Sequence, residues 1–119
     1  MSHAASDAGH SEPFAPVAVV ILTLAAPREK FWGAVLSVTA AGVSLTGIDL
    51  NSFDDFLRIL KAGEPATATT LFFPMHRVER MEVDSPSGGL PSLSERFQLA
   101  TGERIEAMLG LLPRSVTRQ

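Results

Sequence analysis

The stretch KFWGAVLSVTAAGVSLTG, residues 30–47, decides the fold class. Trp32, Ala34, Leu36 and Val38 alternate with Gly33, Ser37 and Thr39, the period-2 pattern of a half-buried strand, and Val35 is the one apolar residue on the polar side. Ala40-Ala41-Gly42 supplies a turn. Val43 and Leu45 then alternate with Ser44 and Thr46 up to Gly47, which gives a second strand at hairpin spacing. Upstream, the apolar run from Val17 is rich in β-branched residues, has Thr23 as its one polar member, and ends in the turn Ala26-Pro27-Arg28-Glu29. It is far shorter than the roughly 20 residues of a bilayer-spanning helix and is expected to be a buried strand. Three consecutive strands make a meander.

The period changes after Gly47. Phe53, Phe56, Leu57 and Leu60 fall at i, i+3, i+4 and i+7, one face of a helix expected over Ser52 to Ala62. Ser52 stands where it would cap the first turn, Asp54 and Asp55 complement the helix dipole, Arg58 and Lys61 come late, and Gly63 suits the stop. Thr67 to Phe73 is β-prone, Pro74 bends the chain, and Val78 to Val83 reads as a last strand. After the breaker Ser85-Pro86-Ser87-Gly88-Gly89, Ser92 with Glu95 forms a capping box for a short helix around Phe97, and a second helix is expected over Glu103 to Leu109.

Length and composition set outer bounds. At 119 residues, 45% hydrophobic and 19% charged, the chain has room for one folded domain. Residues 1–16, with Phe14 as their one large apolar side chain, are expected to be a disordered tail; residues 17–84 the β domain; residues 90–112 a helical segment packing on that domain or on a partner. With no cysteine there is no disulfide framework, thiolate metal site or cysteine nucleophile. The early residues lack the basic-then-apolar pattern of a signal peptide, so a cytoplasmic location is expected. A net charge of −3 gives no overall attraction to phosphate backbones, and neither DNA nor membrane is expected as a partner.

Five short strands, a hairpin meander first and a Pro-bent pair last, resemble the Sm-like small barrels, the family of Sm, LSm and bacterial Hfq proteins. The resemblance covers about residues 17–84 and rests on Gly33, the turn through Gly42, and Val43-Ser44-Leu45, with His76 and Val78 similar to the family's second motif. A second register sets Gly42 to Gly47 and Ser52-Phe53-Asp54-Asp55-Phe56 against a Gly-Ile-x-Leu-x-Gly and Ser-Phe-Asp-x-Phe stretch of Hfq; it needs an inserted residue and turns the expected helix into strands. The resemblance implies a five-stranded Sm/SH3-like barrel, mainly β with added helices (α+β), one helix inserted between strands 3 and 4 and two short helices at the C-terminal end. It also implies an RNA-binding ring, in which His76 and Arg77, and Phe56 in the second register, would hold RNA.

Each candidate constellation has a plainer reading beside it. Arg77, Glu79, Arg80 and Glu82 alternate in sign, which marks a solvated sheet face with ion pairs more readily than a phosphate site. Phe31-Trp32 and Phe72-Phe73 are adjacent aromatics on strands; one of each pair belongs in a core and the other against a helix or a partner. Asp49, Asp54 and Asp55 lack metal-ligand spacing and are explained by capping. Ser92 and Ser94 lack a nucleophile-elbow context. The expectation is therefore a non-catalytic interaction module, a homo-oligomer or the binder of another protein, with no metal and no cofactor; the alternative is the RNA-binding ring.

Overall fold

The meander forms, and two more strands flank it. A computed structural model describes residues 14–110; most of the expected tail, and residues 111 and 112 of the expected helical segment, lie outside the described residues. Strands β1 (Val19–Leu24), β2 (Glu29–Val38), β3 (Gly42–Asp49), β4 (Thr69–Pro74) and β5 (Val78–Val83) form one antiparallel sheet in the order β4-β3-β2-β1-β5. Helix α1 (Phe53–Lys61) lies between β3 and β4, and α2 (Leu93–Thr101) and α3 (Ile105–Met108) follow β5. The architecture is α+β.

The sheet is sharply curled. The β1–β2 and β2–β3 turns sit at opposite ends of β2, whose ten residues would span about 33 Å if straight. Yet the Met75 N–H donates to Ala41 O at 2.9 Å, beside one turn, and the Ala25 N–H donates to Arg77 O at 2.9 Å, beside the other. The three residues 75–77 reach no further than about 10 Å, so β2 must bend to bring its two ends to one corner. The rings of Phe31 and Phe73 say the same. Their partners on β3, Asp49 and Val43, are far apart along that strand, but the ring centroids are 4.9 Å apart.

Two features of β2 permit the bend. The register with β3 shifts between Val35 and Ser37, a bulge that sharpens coiling. Gly33 and Gly47 face each other across the strands so closely that a Cβ on either would come within 2.6 Å of the other's Cα. No side chain larger than hydrogen fits there.

Curling makes two cores from one sheet. The concave face buries Val20, Leu22, Leu24, Val35, Val43, Leu45 and Phe73, and among the described residues no helix contributes to this core. The convex face buries Trp32 with Phe53, Phe56 and Leu57 of α1, Phe97 of α2 and Ile105 of α3. β1 serves both, which is why it is apolar on both sides: Val20, Leu22 and Leu24 enter the first core, Val19 and Ile21 pack on the second. Val35 is central to the concave core, whereas Val38, expected on the buried face, is 46% exposed. The bulge sets Val38 opposite Val43, out of step with Trp32 and Ala34, and Val38 is the last residue of the strand.

Three expectations need correction. The sheet is not closed into a barrel: β4 and β5 meet at the Met75–Arg77 corner, then run beside β3 and β1 respectively, and no ladder joins them. The helix stands where the second register requires strands, at Ser52 to Phe56, so that register fails. Ser52 makes no side-chain capping bond; the chain enters α1 through a 3₁₀ turn, Leu50–Ser52, which moves the cap upstream to Asp49, whose carboxylate accepts the Asn51 N–H at 2.8 Å. The capping box of α2 forms in full: the Glu95 N–H donates to Ser92 Oγ at 3.0 Å and the Ser92 N–H to Glu95 Oε1 at 2.8 Å.

Candidate interaction surface

The residues singled out for RNA do not gather. His76 is exposed in the 3₁₀ turn Met75–Arg77. Arg77, beside it, is committed to the β1–β2 turn: Nη1 donates to Ala25 O at 3.2 Å and Pro27 O at 3.3 Å, and Nη2 reaches Glu29 Oε1 at 2.7 Å. Its fork closes the curled corner, since a guanidinium offers several donors in one plane. Phe56 is 6% exposed under α1, on the convex side, its ring 6.2 Å from that of Phe97. The adjacent β2–β3 turn, Thr39-Ala40-Ala41, carries no cation.

Several other charges are paired as well. Arg28 pairs with Glu79 at 3.4 Å and Arg80 with Glu82 at 3.5 Å, the solvated ion pairs that the alternating signs suggest. Asp54 meets Arg96 at 3.0 Å and Asp55 meets Arg58 at 3.0 Å. A groove of about 530 Å³ between α1 and the β3–β4 side is floored by Phe31, Ile48, Phe56 and Leu71, with Asp49 and Asp55 at its rim. Asp49 there accepts from the Asn51 N–H and Asp55 from Arg58, and Ser52, Thr67 and Thr69 add hydroxyls to the lining. Among the described residues, no three His, Asp or Glu side chains cluster to hold a metal ion, and no helix is long and apolar enough to cross a membrane.

One polar centre was not visible in the sequence. Asp84, just after β5, accepts from Trp32 Nε1 at 3.0 Å, from the Leu93 and Ser94 N–H groups at 3.0 and 2.8 Å, and from Ser94 Oγ at 2.7 Å. It pins the start of α2 to the sheet, where a carboxylate also complements the helix dipole. Its four donors are all supplied from within the chain, so the role is structural. Nothing near Asp84 in sequence points to Trp32, 52 residues away.

What remains is the pair of sheet edges. Within the described residues β4 pairs with β3 alone and β5 with β1 alone, so each presents a row of unpaired N–H and C=O groups. Of the two aromatic pairs, Phe31 and Trp32 enter opposite cores, while Phe72 stands 54% exposed on β4 with Phe73 buried behind it. Comparison with protein-family models, curated proteins and solved structures finds no match to this chain.

Proposed function

We propose that the chain is a non-catalytic interaction module that associates, with another copy or another protein, through the open edges of its curled sheet. The observation that carries this is β4: an edge strand with no charged residue, an exposed Phe72 and, among the described residues, no strand paired on its outer side. Sheet edges of this kind are templates for pairing, and proteins that do not use them blunt them with charge, bulges or proline. β4 has its proline at the last position, where it leaves the preceding ladder intact.

In fold terms the proposal keeps the likeness to Sm-like small barrels. Its support is five strands within residues 19–83, the crease at Gly33 and Gly47, and the three-residue corner that joins the last two strands. A cytoplasmic setting goes with it, supported by a chain that contains no cysteine. The RNA-binding ring loses ground because Arg77 is committed to the β1–β2 turn and Phe56 is buried, leaving His76 as its one exposed residue.

Light-scattering mass measured over a concentration series tests the proposal. A mass rising above 12.7 kDa with concentration, or a stable larger assembly, is expected. A 12.7 kDa monomer throughout, with no complex in a cross-linked extract of its source cells, would overturn it.

A further inference from the structure

We infer that the edge used for association is β4 alone, and that its occupant is β4 of a second copy, paired antiparallel about a two-fold axis. This rests on the association proposed above and names its partner. The two edges differ in charge. β5 carries Glu79, Arg80 and Glu82 within six residues, and β4 carries none. A head-to-tail contact of β4 with β5 would set those three charges beside Thr70, Leu71 and Phe72, which offer no charge in return. A β4–β4 contact sets no charge against anything, and an isologous two-fold contact is the commonest way for identical chains to meet.

The sequence of β4 also fixes the register. Pro74 has no N–H to give, so the pairable stretch is Thr69 to Phe73, centred on Leu71. An antiparallel pair about that centre sets Leu71 against Leu71 of the second copy and Thr70 against its Phe72. Leu71 is half-buried at the margin of the concave core, so this pairing extends that core across the axis. On the opposite face, each exposed Phe72 lies over the threonine of the other copy, an aromatic and β-branched cross-strand pair.

The cysteine-free chain allows a clean test. Single variants Thr70→Cys, Phe72→Cys and Glu82→Cys are made in the full chain, all at exposed positions. They are mixed in pairs and oxidised mildly; directly opposed cross-strand positions lie within disulfide reach. The Thr70→Cys and Phe72→Cys mixture is expected to shift from 12.7 kDa to twice that mass as its dominant oxidised product. The Phe72→Cys and Glu82→Cys mixture is expected to stay uncross-linked. Cross-linking in the second mixture in place of the first would overturn the two-fold contact while leaving association intact. No cross-link in either, together with a monomeric mass for the unmodified chain, would overturn association as well.

Discussion

β5 and β4 are both six residues long and meet at one corner, yet they are finished in different ways. β5 has Glu79, Arg80 and Glu82 along it, an ion pair from Glu79 to Arg28, and Arg77 at its root holding the β1–β2 turn. β4 has Thr69, Thr70, Leu71, Phe72 and Phe73, with no ion pair and one large aromatic in solvent. Evolution of a monomer is expected to blunt both edges. Only β5 is blunted, and the association proposed above rests on that asymmetry.

The largest expected effect comes from removing what sets both edges at once. Gly33→Ala places a methyl where the Gly47 backbone already lies, at 2.6 Å, so the variant is expected to lose the folded state or to melt far below the parent in a circular-dichroism scan. A melting point within a few degrees of the parent would show that β2 bends elsewhere.

Next comes the corner itself. Arg77→Ala removes bonds to Ala25 O, Pro27 O and Glu29, of which the charge-assisted bond to Glu29 is partly exposed. A loss of about 1–3 kcal/mol in urea unfolding is expected. Arg80→Ala on the same strand, whose Glu82 pair is solvated, is expected to cost well under about 1 kcal/mol. Equal losses for the two would erase the distinction between a corner clamp and a surface pair.

Ser92→Ala serves as the control away from both edges. It removes the α2 capping bond and is expected to cost about 1 kcal/mol without altering the mass in solution. The smallest effect has the opposite sign. Thr23 is fully buried in β1 and its hydroxyl has no hydrogen-bond partner among the described residues, so Thr23→Val, close in shape, is expected to stabilise by up to about 1 kcal/mol. A loss of that size instead would mean the hydroxyl is satisfied in solution.

The local elements could be read from the sequence because their causes are local. The i, i+3, i+4, i+7 pattern of Phe53, Phe56, Leu57 and Leu60, the Ser92 and Glu95 box, and the alternation of Trp32 and Ala34 each depend on residues within one or two turns. The curl could not be read in that way. It depends on Gly33 meeting Gly47 and on a bulge after Val35 that inverts which side chains face inward, and a period-2 count has no means of announcing a skipped residue. Val35 breaks the alternation because both faces of β2 are covered, and Val38 falls out of step with Trp32 and Ala34 because it lies beyond the bulge. At the surface, the sign alternation around Arg77 correctly indicated ion pairing, but the assignment of Arg77 to the Ala25–Glu29 turn required a contact across about fifty residues. Phe72 and Phe73 were legible as a split pair, and which of them faces outward was settled by the register with β3.

The distinction between the two edges is tested most directly by amide hydrogen exchange at low and high protein concentration. Exchange within Thr69–Phe73 is expected to slow as concentration rises, while Val78–Val83 exchanges at the same rate throughout. Concentration-dependent protection of Val78–Val83, or exchange in Thr69–Phe73 as fast as at an unpaired edge at every concentration, would contradict the account.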